Sequence, residues 1–388
     1  MRASVEVVLA DSRIKRAFRF ISEHEPEIEA DQIRLSLVPA GPFQEHERAR
    51  VFSDELKKTR FHPSTDSMGN VVVGYEYIGA DPVVMAAHLD TVFPQTMPLQ
   101  LRRKANTLFL PGISDNGAGI VALLWTLRAA KDAGIRFRRS VIGVGTVGEE
   151  GAGNLRGVRF LFDSPPWSGR NCEFIAIDGG GLNRITHQAL GSRRFRVVMQ
   201  GPGGHSWADF GRPNPIQAVA MAIHTFSGAG MSRRAGNAFN FGVIHGGISV
   251  NAIPSEVSTE VDLRSVTAGD LEEMDSRLRR IVAEAARTTG VAFQIEKTGD
   301  RPSGATSAHL PIVQVALEAS RAFGVEAQLD IGSTDANIPI SIGVPAIGIG
   351  GGGSSGNIHK PEEWFDPTQR HLGIQRLLTI VATLAGLA

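Results

Sequence analysis

The chain has almost no cysteine and no net charge. Its single thiol, Cys172, excludes an internal disulfide and any multi-cysteine metal site. Cys172 opens the apolar run CEFIAI, which marks it as a buried core thiol rather than a nucleophile. Lys+Arg and Asp+Glu number 40 each, so no basic excess points to a nucleic acid or a membrane surface as partner. No apolar run approaches the roughly 18 residues that a membrane span needs. The start, MRASVEVVLADSRIKR, has a brief apolar patch followed by charges and makes a poor signal peptide, so the expected compartment is the cytoplasm. No GxGxxG or Walker loop follows the first strand, which argues against a nucleotide-binding α/β protein. There is no internal repeat and no long low-complexity segment.

What is present is a soluble globular composition, 42% hydrophobic and 21% charged, over 388 residues. That length exceeds one ordinary core and implies two domains. The organising stretch is Val83 to Pro94, VVMAAHLDTVFP. Its apolar start reads as a buried strand, yet it ends in His88 and Asp90. A buried strand finishes in an imidazole and a carboxylate when its end opens into a site, and sites in open α/β sheets lie beyond the carboxyl ends of the strands. Taken alone, such a pair is more often structural; it gains weight from what surrounds it.

Helical spacing of Ile14, Phe18 and Ile21, and again of Phe52 and Leu56, predicts packing helices near the N-terminus. Strands are expected over Asn70–Tyr77, Val141–Val147, Phe174–Ile177 and Val344–Ile349. Helices are expected after Asn116, over Leu310–Phe323 and over Leu372–Leu384. Strands alternating with helices predict an α/β fold. After about Leu190 the pattern changes to Phe195–Met199, Pro215–Phe226, Phe239–Ile244, Val257–Leu263, Leu271–Ala286 and Ala292–Ile295. That order, β-α-β-β-α-β, is a ferredoxin-like split unit, an insertion of roughly 110 residues. The expected division is 1–190 with 304–388 for the α/β domain and 191–303 for the α+β insertion.

Acidic or imidazole residues recur at or just beyond the strand ends: His88 and Asp90, Asp115, Glu149 and Glu150, and Asp178, with His359 after a further strand. Two imidazoles and three carboxylates without a thiolate suit Zn, Co or Mn. Two divalent ions bring +4 against −3 from Asp115, Glu150 and Asp178, leaving +1 for a hydroxide nucleophile. Glu149, beside a ligand, is the natural general base. Adjacent strand-end residues do not easily point at one metal, which splits the roles of Glu149 and Glu150.

The motifs HLDTV (88–92), SDNGAG (114–119), GEEG (148–151), IDG (177–179), GPGGHS (201–206) and GNIHKPEEW (356–364) resemble those of the M20 family of metallopeptidases. The resemblance runs from about residue 45 to the end, in the family's order, and the motifs are specific jointly rather than singly. It implies a catalytic α/β domain with a mixed sheet, interrupted by a ferredoxin-like lid that forms a homodimer. It also implies that His88 and Asp178 bind one ion, Glu150 and His359 the other, and Asp115 bridges them. Asp90 would then orient His88, Glu149 would be the catalytic base, and His205 would reach the partner subunit's site to stabilise an oxyanion. Asn251 and Arg264 match the family's NxIP and DxR positions, which hold a substrate carboxylate; a surface ion pair is the plainer reading of Arg264. Ser333-Thr334-Asp335-Ala336-Asn337 resembles a pocket-lining segment of the peptidase T and deacetylase branch, with helix N-capping by Asp335 as the plain alternative.

One departure stands out. The bridging aspartate is commonly followed by Met-Lys-Gly or Asp-Lys-Gly, and here Asn116-Gly117 follows. The glycine run Gly350–Gly353 lacks a GK[ST] and reads as a mobile loop delivering His359. The remaining histidines, such as His24 and His187, sit in no motif and read as structural or surface residues.

The expected activity is hydrolysis of a peptide or amide bond next to a free carboxylate, by a di- or tripeptidase or aminopeptidase. The alternative is an N-acyl-amino-acid deacylase. A non-catalytic binding homologue is the remote reading, because ligands and base are all present.

Overall fold

The computed structural model describes residues 4–76, 81–164, 171–228 and 236–388. Two compact units emerge: Met1–Ala189 with Ala305–Ala388, and Leu190–Gly304. The fold is mixed α/β with an inserted α+β domain.

The first unit is built on a large mixed sheet. Four parallel neighbours form its centre, in the spatial order Val141–Thr146, Val83–His88, Glu173–Ile177 and Ala346–Ile349. All four are buried along their whole length, as strands covered on both faces must be. Because they run the same way, their carboxyl ends meet at one edge, and the acidic and imidazole residues follow those ends. Val71–Glu76 pairs antiparallel outside Val141–Thr146; Tyr77, expected in this strand, lies outside the described residues. On the other side Arg184–Ala189 runs antiparallel to Ala346–Ile349, and Gln328–Gly332 pairs with it.

Helix Gly117–Asp132 is buried almost all round, because it packs against helices Ser12–Glu23, Glu25–Ser36 and Arg370–Ala385 as well as the sheet. A small four-stranded sheet, Ser354–Gly356, Trp364–Asp366, Thr107–Phe109 and Arg102–Lys104, was not foreseen. Its strands are three residues each and too short to show a period.

The Gly350–Gly353 run needs correction. It is packed backbone on backbone rather than being a mobile loop. A Cβ on Gly350 would fall 2.4 Å from the Gly180 carbonyl oxygen, and one on Gly351 2.6 Å from that of Ala118. Glycine allows this close approach.

In the second unit four antiparallel strands lie in the order Asn237–Gly246, Glu256–Ser265, Gly191–Gln200 and Ala292–Arg301. Helices Pro215–Gly228 and Ala268–Thr289 cover one face. Phe195, Val197, Val219, Phe226, Val261, Leu263 and Leu278 form a core of their own there. Inward and outward residues alternate along Glu256–Ser265, as a one-face-buried strand requires.

Candidate metal centre

The strand edge of the first unit gathers the acids and imidazoles. His88 is the last residue of its strand, and its Nε2 lies 3.0 Å from Asp115 Oδ1 and 3.6 Å from Asp178 Oδ1. Across Asp115, His359 Nε2 lies 3.0 Å from Asp115 Oδ2 and 3.1 Å from Glu150 Oε1. Three groups are tight enough to hold a cation: His88 with Asp115 and Asp178, Asp115 with Glu150 and His359, and His88 with Glu149 and Glu150. Asp115 thus offers one oxygen to each side.

These residues fit a metal. His88 Nε2 and Asp115 Oδ1 are buried and have no hydrogen-bond partner although they stand 3.0 Å apart. Leaving such atoms unsatisfied is costly, and a cation that takes both lone pairs removes the cost. His88 Nδ1 lies 3.1 Å from the Asp90 carbonyl oxygen, so in the neutral, metal-binding ring Nδ1 carries the proton and Nε2 presents its lone pair. The Asp90 carboxylate, 3.6 Å from that ring, accepts instead from the backbone N–H groups of Glu149 at 3.0 Å and Glu150 at 2.7 Å. Asp90 therefore ties His88 to the Glu149–Glu150 turn.

Both glutamates reach the centre, contrary to the expectation that adjacent residues would diverge. The strand has ended at Thr146, and Gly148 turns the chain at φ 67°. Strict alternation no longer applies after such a turn.

The electrostatics are those of a carboxylate cluster that favours positive charge on its neighbours. Burial opposes an imidazolium at His88, yet the carboxylates of Asp115, Asp178 and Asp90 outweigh it and hold its pKa well above the usual value. Asp115 and Glu150 raise His359 to about 10. Burial works against the Asp115 carboxylate, but the two imidazoles win and hold its pKa well below the ordinary range. Burial pushes Glu150 up. A divalent ion competes with protons for the same imidazole nitrogens.

Two supporting residues, Glu363 and Arg48, were not singled out from the sequence. Glu363 is wholly buried and accepts from the backbone N–H groups of Gly112 at 2.9 Å, Ser114 at 2.8 Å and Asp115 at 2.9 Å. Burial raises its pKa to about 7. It stood in the GNIHKPEEW motif, the available signal. Arg48, buried, donates to the carbonyls of Leu89 at 3.0 Å and Val38 at 2.6 Å, which holds the segment between His88 and Asp90. Its signal was its place four residues before Phe52 and eight before Leu56, on their apolar stripe. Asp335 is not a helix cap: the short helix Asn337–Ser341 has Ala336 at its N-cap with no side-chain bond. Instead the buried Asp335 accepts a hydrogen bond from Thr146 Oγ1, at the strand end before Glu149 and Glu150.

The remaining predicted residues belong to the second unit. His205 lies in the short strand Gly204–His205, and its Nδ1 accepts from the Trp207 and Ala208 N–H groups at 3.2 and 3.3 Å. In the neutral ring Nε2 is then an N–H donor on an exposed residue. Asn251, next to the partner strand Ala252–Ile253, accepts from Ser249 Oγ at 2.6 Å. Arg264 pairs with Asp262 at 2.7 Å. No hydrogen bond or ion pair among the described residues joins Arg264 to Asn251 or His205.

Residues 84–383 match Peptidase family M20/M25/M40. The chain belongs to this family. The family comprises metal-dependent hydrolases acting on carbon–nitrogen bonds. Among curated relatives, the chain is 31% identical to the N-acetyldiaminopimelate deacetylase of Leuconostoc citreum over 108 residues, 27% of this chain and 28% of that protein. The chain thus spans well under half the length of that relative. Among solved structures, a tripeptidase from Staphylococcus aureus superposes with a TM-score of 0.78 at 19% identity, covering 93% of this chain and 98% of that one. The Bacillus subtilis YXEP protein, described as a dinuclear metal binding peptidase, gives 0.70 at 14% identity over 95% of this chain and 100% of that one. At these identities the two structures establish the shared fold.

Proposed function

We propose that the chain hydrolyses a peptide or amide bond beside a free carboxylate in a small substrate, with two divalent ions. The observation that carries this reading is Asp115, which offers one oxygen to each of two candidate ligand groups. His88 and Asp178 would hold one ion, and Glu150 and His359 the other. Their nitrogen and oxygen donors, without thiolate, suit Zn, Co or Mn. When bound, such ions acidify water and polarise the scissile carbonyl.

The chain's own groups do the rest. The Glu149 carboxylate takes a proton from the attacking water and delivers it to the leaving nitrogen. Asp90 keeps the His88 ring in the tautomer that presents Nε2. His205 Nε2–H donates to the carbonyl oxygen as it gains charge, reaching it from a partner subunit. Asn251 and Arg264 hold the substrate carboxylate, for which the planar guanidinium is suited. These last roles, and a homodimer formed through the second unit, rest on the family resemblance. No helix among the described residues is long and apolar enough to cross a membrane; the proposed compartment is the cytoplasm.

A di- or tripeptide is the leading substrate class, and an N-acyl amino acid the second, favoured by the match to a deacetylase over part of the chain. The test is an assay against dipeptides, tripeptides and N-acetyl amino acids, with chelator and then with Zn, Co or Mn restored. Cleavage that stops on chelation and returns with metal supports the reading, and the cleaved class names the substrate. Full activity in chelator sinks it.

A further inference from the structure

The departure after the bridging aspartate has a structural purpose. Asn116 is wholly buried, and its side chain ends between two loops. Its Nδ2 donates to the Ile177 carbonyl at 2.9 Å, while its Oδ1 accepts from the Gly179 N–H at 3.0 Å and the Gly119 N–H at 3.1 Å. Two of these three bonds bracket Asp178, one residue on each side. The third caps helix Gly117–Asp132. The partners fix the amide's orientation, because a flipped side chain would set its donors against two N–H groups. Ser114, on the other side of Asp115, adds a matching tie: its Oγ accepts from the Gly180 N–H at 3.0 Å. Residues 114 and 116 therefore grip residues 177, 179 and 180, and the carboxylates between them, Asp115 and Asp178, both approach His88 Nε2.

The fit leaves no slack. A Cβ on Gly119 would stand 2.2 Å from Asn116 Oδ1 and 2.4 Å from the Ile177 carbonyl oxygen, so the first helical turn is pressed onto the strand end. The methionine or aspartate common at this position in the family offers no amide donor for the Ile177 carbonyl.

We infer that Asn116 is a positioning residue, which fixes the spacing of Asp115 and Asp178 and thereby the affinity of the ion that they and His88 would hold. This rests on the proposed ligand assignment. Its alternative is a plain structural role as the helix cap. Two variants separate the roles. Asn116→Ala removes the cap and the tie, whereas Asn116→Ser keeps a hydroxyl that caps the helix but is too short and too poor in donors to hold both Ile177 and Gly179.

The experiment titrates Co(II) into the metal-free full chain, read by calorimetry and by the visible absorption of the bound ion. It is run in wild type and in a His359→Ala background, where the His88–Asp178 ion is isolated. The expected result is a loss of about 10–100-fold in Co(II) affinity for both Asn116 variants, as for other residues behind a ligand. Their Co(II) absorption shifts, and metal-free Asn116→Ser melts above Asn116→Ala because it keeps the helix cap. Unchanged affinity in both variants, or affinity restored by serine, overturns the inference while the ligand assignment stands. A wild-type chain that binds no Co(II) overturns the assignment, and this inference with it.

Discussion

The His88 cluster is sealed and the His359 cluster is open, although both use Asp115. The His88 side chain is 2% exposed, stands on a strand of the central sheet and has Asp90 behind its ring. The His359 side chain is 52% exposed, on a loop residue whose φ is 64°. A ligand fixed by a sheet and a backing hydrogen bond loses little freedom when it binds an ion, and one on an exposed loop loses more. Two positions sharing one carboxylate should therefore differ in affinity and exchange, with the His359 side the weaker and faster.

The strongest way to break this comparison is at the shared residue. Asp115→Ala should lower the affinity of both ions by more than about 100-fold, beyond the usual effect of losing a residue behind a ligand, and should abolish turnover. Metal content after dialysis checks it; loss of one ion alone would show that Asp115 is not shared. Next in size, Glu149→Gln should reduce kcat by about 10²–10⁴-fold with both ions retained. Loss of an ion in that variant would make Glu149 a ligand, the role that its proximity to His88 and Glu150 also allows.

Acidity separates protons from metal at the open side. In the metal-free protein His359 is raised to about 10 from the usual 6.5. Its protonated form thus favours the fold; that contribution is fully present below about pH 6.5 and lost as pH rises toward 10. The metal-free chain should melt at lower temperature across that window, and the metal-loaded chain should lack this dependence. Conversely, metal affinity on the His359 side should rise about tenfold per pH unit for each proton displaced. A pH-independent affinity would contradict the competition. The smallest effect is expected at the strand end. Thr146→Val leaves the buried Asp335, whose burial raises it to about 6, without its hydroxyl partner. It should cost about 1–3 kcal/mol of stability, read by denaturant unfolding.

The same contrast explains what was legible in the sequence. His88, Asp115 and Asp178 could be found because each follows or adjoins an apolar run, and an abrupt polar end to a buried strand is a local signal. The ferredoxin-like order was legible because its long strands and helices carry clear periods. Glu363 and Asp335 stood inside quoted motifs, but neither ends an apolar run and nothing local announced their partners. They bond to groups 248 and 189 residues away in the chain, Asp115 and Thr146, and only the folded sheet brings them there. The packing of Gly350–Gly353 was hidden for the same reason, since what its missing side chains make room for is backbone from elsewhere.

The most direct test is the stoichiometry of Zn(II) binding to the metal-free chain, followed step by step in wild type and in His359→Ala. The shared-aspartate centre predicts two ions per chain in wild type, the second weaker, and one in the variant with the tighter ion kept. A wild-type chain that binds no ion or only one, or a variant that still binds two, would contradict it.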